Sequence, residues 1–418
     1  MDLILLTKHF PFNNNDTPAE SYLDTEILYL SKRYSRIIVF ATEAVPSSRV
    51  YSFLPKNVIA FALGCSFSNS ISKFDLLIKS LYKSDFRFFI NEYKYKDRSD
   101  NNILKTLFKR YFICKATAKY VIIKNILQHF TDLNVSSIYS FWFFDTALLA
   151  FMLKSLFSRS VKVISRAHRY DLYAEENKIK YLPLRSFLLE KLDMVFPCSV
   201  QGMEYLVHKY STFSNKVVPI YLGTSDLPDR SLCAHKVPFT ILSCSRIVPV
   251  KQVDLLFDAV IFLIQKGYNI NWVHFGDGPD MNCIKKKIQL FPNCSDRIFM
   301  KGFVSNKTLL HIYSTELFGC FINVSKSEGL PISIMEACGI GLPIIATDVG
   351  GTSEIVHNGD NGILLSKNPS VQDVADAIES LITLDNKDYF RMRSASRRIW
   401  EDNFQTSHNI DKLISFML

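Results

Sequence analysis

Short runs of Ile, Val, Leu and Phe alternate along the chain with longer stretches in which apolar residues recur every three or four positions. A continuous apolar run between polar boundaries predicts a strand buried on both faces, and the longer period predicts a helix. The first half is thereby expected to place strands at 3–7, 36–41, 58–63, 137–141, 161–166 and 193–197. Helices are expected at 19–31, 104–130, 147–156 and 201–210. The alternation restarts after Pro219, with strands expected at 239–244, 271–275, 297–300, 319–324, 343–346 and 362–365 and helices at 253–265 and 371–384. Two such series imply an α/β chain with two Rossmann-like halves, each a parallel sheet covered by helices. The stretch from Pro219 to Pro238 holds Gly223, Pro228 and several polar residues, and reads as a linker.

The length of 418 residues and the 48% hydrophobic content suffice for two ordinary cores. Nine cysteines are scattered without a Cys-x-x-Cys pair or a zinc-like Cys/His spacing, so reduced thiols in a cytoplasmic protein are expected. Met1 to Thr7 has no basic lead-in and reads as a strand. No run approaches the roughly 18 uncharged apolar residues that span a bilayer. The protein is therefore expected to be cytoplasmic, soluble or peripheral.

The net charge of +9 is unevenly distributed. Between Lys73 and Phe130 there are thirteen Lys and Arg against five Asp and Glu, interleaved with aromatics such as Phe88, Tyr93, Phe108 and Tyr111. Such a segment suits an anionic membrane surface at the inner face of the cytoplasmic membrane, or a solvated helical face. Nucleic acid is not expected as a partner, because no recognition motif accompanies the charge.

The richest chemistry lies in Ser325-Lys-Ser-Glu328-Gly329-Leu330-Pro331-Ile-Ser-Ile-Met-Glu336-Ala. A strand should end near Val324, and Pro331 suits the first position of a helix running to about Gly339. A helix N-terminus at the carboxyl end of a strand is an anion site, fit for a diphosphate. Glu328 and Glu336 bracket it, and carboxylates accept hydrogen bonds from hydroxyl pairs on a ribose or hexose. Taken singly, Glu328 could merely favour the helix dipole and Glu336 could be a solvated surface residue.

This run, followed by Gly341-x-Pro343, resembles the Glu-x7-Glu signature of retaining glycosyltransferases of family four, which have the GT-B fold. Ala346-Thr-Asp348-Val-Gly350-Gly351-Thr-Ser-Glu354 and Asn361-Gly362 are similar to the same family's next segments. Upstream, Ser245-Arg246-Ile-Val-Pro-Val-Lys251 and Phe275-Gly276-Asp-Gly278-Pro279 match in part. Ser245 and Gln252 stand where relatives usually carry Gly. The resemblance is strong from about Phe239 to Leu365 and weak in the first half.

The resemblance implies two facing Rossmann-like domains with a cleft between them. It implies an acceptor domain at 1–218, a nucleotide-sugar domain at 219–395, and terminal helices at 396–418 crossing back to the first domain. Among catalytic residues, it places Glu328 by the transferred sugar and Arg246 and Lys251 on the diphosphate. His168, in Arg166-Ala167-His168-Arg169-Tyr170-Asp171, resembles the family's His near the sugar. Glu336 would bind the ribose, and Gly329, Leu330, Pro331, Gly276 and Gly278 would line the donor. Relatives carry a Gly pair near Phe10-Pro11-Phe12-Asn13-Asn14-Asn15, where this chain has Asn. That loop is expected to face the acceptor, with Glu20 and Glu26 on the helix behind it.

The expected activity is retaining transfer of a sugar from a nucleotide-diphosphate donor to a saccharide acceptor. Resemblance to bacterial transferases of O-antigen and capsule assembly suggests a lipid-linked acceptor. No cofactor is expected, and no Asp-x-Asp motif is present to hold a metal. The alternatives are a nucleotide-sugar epimerase on the same fold and a catalytically inactive binding subunit. A nicotinamide dehydrogenase is disfavoured, since no Gly-x-Gly-x-x-Gly follows the first strand.

Overall fold

The computed structural model describes residues 1–418 except 15–16, 19, 21, 46–49, 51–53, 65–102 and 233–236. The basic interval from Lys73 up to residue 102 therefore lies outside the described residues. The chain divides into two compact units, Met1–Tyr221 with Ile410–Leu418, and Leu222–Asn409.

In the first unit the strands are β1 (Asp2–Thr7), β4 (Arg36–Ala41), β5 (Val58–Ala62), β6 (Val135–Ser140), β7 (Lys162–Ala167) and β8 (Met194–Pro197). A two-residue pair, β2 (Asn13–Asn14) and β3 (Thr17–Pro18), follows β1 as a separate antiparallel hairpin. The six main strands are all parallel, in the order β5-β4-β1-β6-β7-β8. Successive side chains of β1 feed opposite faces. Ile4 and Leu6 join the core formed with Phe112, Ala116 and Leu148, and Leu3 and Leu5 join the one formed with Leu23, Ile27 and Leu30. That is why the strand reads as uninterrupted apolar sequence. Ile410, Leu413, Ile414 and Met417 complete the second of these cores.

The second unit repeats the plan with β9 (Phe239–Cys244), β10 (Ile270–Phe275), β11 (Ile298–Met300), β12 (Cys320–Asn323), β13 (Ile344–Thr347) and β14 (Gly362–Leu365). Their order is β11-β10-β9-β12-β13-β14, again all parallel. In both units the chain works outward from the first strand to one edge, then returns to the centre and works outward to the other. The carboxyl ends of β1 and β6, and of β9 and β12, flank that point of reversal, where open α/β sheets bind ligands.

The segment joining the first unit, Ile410–Leu418, is shorter than the 396–418 stretch expected from sequence. The helix Asn386–Asn403 is tied to the second unit instead. Trp400 is fully buried and its indole donates to Thr224 Oγ1 at 2.7 Å. Ser396 Oγ donates to the Leu342 carbonyl at 2.6 Å, and Arg393 Nη2 to the Arg230 carbonyl at 2.8 Å. This helix backs Ile332–Gly339, where an added Cβ on Gly339 would stand 3.2 Å from the Trp400 indole nitrogen.

Within the first unit, Arg166 lies in β7 and is fully buried. Its Nε donates to Tyr139 Oη at 2.8 Å, its Nη1 to the Ile220 carbonyl at 2.9 Å, and its Nη2 faces Glu26 at 3.5 Å. Burial pushes the Glu26 carboxyl up and Arg166 pulls it back. Arg166→Ala strands this carboxyl and two acceptors, and should destabilise the unit by about 3–5 kcal/mol. Urea denaturation followed by far-ultraviolet circular dichroism measures it, and a loss below about 1 kcal/mol would contradict the network's role.

Candidate active site

In the second unit the site begins where β9 ends. Ser245 and Arg246 leave the strand, a 3-10 turn spans Pro249–Lys251, and the helix Val253–Gln265 follows. Arg246 is exposed at the loop surface. Gln252, where the family carries Gly, has φ +47° and so adopts the left-handed conformation that Gly favours. The departure from the motif keeps the local backbone hand.

Gly276 and Gly278 follow β10 and explain why two glycines are needed there. The Gly276 φ is +134°, and a Cβ on it would lie 1.8 Å from the Ser245 carbonyl oxygen. A Cβ on Gly278 would lie 2.2 Å from the Ile247 carbonyl oxygen. The Ile247 N–H donates to the Asp277 carbonyl at 3.0 Å. These glycines thus let the turn lie directly against the loop that carries Arg246. His274 braces the same loop from below, with Nδ1 2.8 Å from Ser243 Oγ and Nε2 3.2 Å from the Ser245 carbonyl oxygen. Burial pushes its pKa down to about 4, which keeps the ring neutral.

Across the point of reversal, β12 ends at Asn323 and delivers Glu328. Its Oε1 accepts from Lys251 Nζ at 2.5 Å and from Asn323 Nδ2 at 3.0 Å. The Asn323 Oδ1 in turn accepts from the Ser325 N–H at 3.1 Å, which fixes the amide. Gly350 has φ +56°, and a Cβ there would lie 2.1 Å from the Glu328 carbonyl oxygen. The Gly351 N–H donates to the Gly329 carbonyl at 2.7 Å. The Gly350-Gly351 pair therefore clamps the Glu328–Leu330 loop.

The helix Ile332–Gly339 follows, with Pro331 as its N-cap rather than its first residue. Its opening N–H groups, on Ile332 and Ser333, have no intrahelical acceptor. Glu336 is buried one turn further on, 6% exposed, and accepts from Asn306 Nδ2 at 2.8 Å. Burial pushes its pKa up to about 7, against the opposing pull of Asn306. Among the sequence-derived residues, Lys251 and Glu328 are thus in contact, and Arg246, Gly276 and Gly278 share one loop assembly. Glu336 lies deeper, under Asn306. Asn306, Asn323 and His274 were not singled out from sequence. Asn323, a polar residue closing an apolar strand just before the motif, carried a signal, whereas Asn306 comes from a helix distant in sequence.

The first unit has a separate cluster at the carboxyl ends of β1, β6 and β7. His168 follows β7, and its backbone N–H donates to Asp171 Oδ1 at 2.6 Å. Its ring packs 4.7 Å from Phe141 and 4.6 Å from Trp142. Both ring nitrogens are shielded and meet no hydrogen-bond partner among the described residues. Burial, helped by Arg166 and Lys8, pushes its pKa down to about 3, so the ring is neutral. Lys8 Nζ stands 4.8 Å from the Trp142 ring and 5.1 Å from that of Tyr170. Glu20 precedes the helix Tyr22–Arg33 instead of lying on it, and accepts from the N–H groups of Lys8, His9 and Phe10 at 3.0, 2.6 and 2.6 Å. Glu26, by contrast, lies on that helix.

Comparison with known proteins bears on this geometry. Residues 230–399 match the model of the family described as Glycosyl transferases group 1. A relative in Streptococcus pneumoniae, the UDP-N-acetylglucosamine–peptide N-acetylglucosaminyltransferase GtfA subunit, is 31% identical over 167 residues, 40% of this chain and 32% of the relative. The chain thus spans about a third of that relative's length. The structure of Anabaena Alr3699/HepE with UDP and glucose aligns with a TM-score of 0.62 at 15% identity, over 99% of this chain and 98% of that one. The lipopolysaccharide outer core galactosyltransferase WaaB aligns with a TM-score of 0.64 at 13% identity, over 100% of both chains. At such identities the likeness shows the fold, which is GT-B, as the sequence led us to expect.

The raised pKa of Glu336 sets a pH dependence. A carboxyl whose folded value lies above its unfolded value costs nothing when protonated, below about pH 4.5, and destabilises progressively as pH rises through about 7. Glu336→Gln should therefore stabilise the second unit relative to wild type at pH 8 by on the order of 1–3 kcal/mol, and much less at pH 5. Denaturation midpoints of both proteins at the two pH values measure this. A pH-independent difference would remove Glu336 as its source.

Proposed function

We propose that the protein, whose residues 230–399 match the Glycosyl transferases group 1 family model, is a retaining, metal-independent glycosyltransferase. It moves a sugar from a nucleotide-diphosphate sugar to a saccharide acceptor. The observation that carries this reading is the arrangement at β9 and β12. There Lys251 meets Glu328 beside an uncapped helix N-terminus, with the buried Glu336 one turn inside. Three positive features, Arg246, Lys251 and the helix N-terminus, would balance charge building on the departing diphosphate, which lowers the barrier to an oxocarbenium-like transition state. Glu328, held by Asn323, would accept from hydroxyls of the transferred sugar.

Glu336 suits the ribose for a specific reason. A buried carboxylate with one hydrogen-bond donor is costly, and two ribose hydroxyls would supply the donors it lacks. Gly329, Leu330 and Pro331 would form the wall through which the diphosphate meets the helix. Gly276 and Gly278 would act indirectly, through the Arg246 loop they support. His168, neutral and without a hydrogen-bond partner among the described residues, would hydrogen-bond the substrate. The UDP-N-acetylglucosamine in the pneumococcal relative's name and the UDP in the HepE complex make UDP-sugars the first donors to test. The lipopolysaccharide acceptor implied by the name WaaB, together with the basic interval, supports a lipid-linked acceptor in surface-polysaccharide assembly at the inner membrane face. No helix among the described residues is long and apolar enough to cross a membrane.

A panel of nucleotide sugars in a thermal-shift assay should single out the donor by a raised melting temperature. Glu336→Ala should then weaken binding of that donor by about 1.5–3 kcal/mol in calorimetry. Unchanged affinity would take Glu336 out of the site.

Turnover, followed as release of nucleoside diphosphate, should persist in EDTA. It should fall by about a hundredfold or more in Arg246→Ala with Lys251→Ala, whose melting temperature stays near wild type. Loss of turnover in EDTA with recovery on adding Mn²⁺ would overturn the metal-free mechanism.

A further inference from the structure

The Lys251–Glu328 ion pair occupies the site proposed above for the donor. Lys251 closes the 3-10 turn after β9, and Glu328 follows β12 just before the helix Ile332–Gly339. Among the described residues Lys251 is the one cation paired with Glu328, and Glu328 the one carboxylate paired with Lys251. Their side chains are 24% and 10% exposed, so water and salt screen the pair only in part.

The two partners are held unequally. Their loops are joined by the Lys326 N–H, which donates to the Val250 carbonyl at 2.8 Å, so the pair is built into the fold. Glu328 is fixed from two sides. Its Oε1 accepts from Asn323 Nδ2 at 3.0 Å, and Asn323 is itself held by the Ser325 N–H at 3.1 Å. Its backbone carbonyl lies against Gly350, where a Cβ would stand 2.1 Å away. The Lys251 ammonium donates to Glu328 alone among the described residues. Its four-carbon stem lets that ammonium swing away while Glu328 stays in place.

An anion entering beside the helix N-terminus meets in Glu328 a group of its own sign. When Lys251 turns to that anion, Glu328 loses its counterion in a place that is largely shielded from water. We propose that Glu328 selects against a bare diphosphate, because the two compete for Lys251. A diphosphate that carries a sugar escapes this cost, since the sugar's hydroxyls donate to the carboxylate that Lys251 has left. The pair thus favours the sugar-bearing donor over the nucleoside diphosphate that transfer releases. The inference rests on the reading of Lys251 as a ligand of the diphosphate.

Calorimetric titration of the full chain with inorganic pyrophosphate, at fixed ionic strength, tests the competition. Glu328→Gln keeps the shape of the side chain and an acceptor for Asn323, and removes the charge. It should bind pyrophosphate about fivefold or more tightly than wild type, although it alters a residue of the proposed active site. Glu328→Ser should act in the same direction, and serves if the melting temperature of the Gln variant falls. Lys251→Met should weaken pyrophosphate binding, and in that background Glu328→Gln should give a smaller gain or none. Pyrophosphate bound no more tightly by Glu328→Gln than by wild type, absence of binding to both included, overturns the inference. An equal gain with and without Lys251 also overturns it, because Glu328 would then merely repel the anion. Binding unchanged by Lys251→Met overturns the reading of Lys251 beneath it as well, so the two failures are told apart. Turnover is not read, and loss of activity in these variants does not enter the result.

Discussion

Both units answer to one constraint. Parallel strands must be joined by crossovers of consistent hand, so a chain that starts in the middle of a sheet can build only one side before it must return. With β9 and β12 side by side, the chain leaves β9 toward β10 and leaves β12 toward β13. The two departing loops diverge, and the space between their strands' carboxyl ends is left to whatever side chains the loops carry. Arg246 and Lys251 come from one side, and Glu328 and the helix Ile332–Gly339 from the other. The Lys251–Glu328 ion pair spans the gap. In the first unit the same reversal between β1 and β6 brings Lys8 close to Trp142.

The proposed glycosyl transfer would need the loops that border this gap to be rigid, because fixed charges stabilise a transition state without reorganising. Here rigidity comes from backbone laid against backbone. Gly276 and Gly278 touch the carbonyls of Ser245 and Ile247, and Gly350 touches that of Glu328. No other residue type fits at these separations. His274 and Asn323 supply the side-chain half of the same support, one under the Arg246 loop and one under Glu328.

The protein treats its buried ionisable groups in two ways. Asp145 is held well below the usual carboxylate range by Lys119 at 3.0 Å and Lys115 at 3.3 Å, which offset its burial. Arg166 likewise has Glu26, Tyr139 and a carbonyl. Glu336 and His168 lack such company. Among the described residues, one has a single amide donor and a pKa raised to about 7, and the other has no hydrogen-bond partner and a pKa lowered to about 3. A buried polar group left under-satisfied costs the fold stability. His168 directly follows β7, and Glu336 lies one turn inside the helix that follows β12.

The alternation of apolar runs and helical periods by itself determined the two parallel sheets, because burial on both faces leaves no choice of side chain along a strand. All twelve expected strands are present, most within two residues of their expected ends. Glu328, Glu336, Arg246 and Lys251 could be singled out from sequence, since each lies in a loop or helix start adjoining an identifiable strand, and their roles belong to the function proposed above. Only tertiary structure decided which contacts those residues make. Asn306 reaches Glu336 across 30 positions, and Lys251 reaches Glu328 across 77. It alone showed that Gly276 and Gly278 serve the Arg246 loop, and that Trp400 stays with the second unit while Ile410–Leu418 joins the first. It also decided that Lys105 and Lys109 line a pocket with Lys180, Arg185 and Lys209 rather than forming only a charged helical face. The reason is common to all of these. Periodicity records the environment of each residue, buried or exposed, whereas a partner distant in sequence is chosen by the packing of whole elements, which leaves no local pattern.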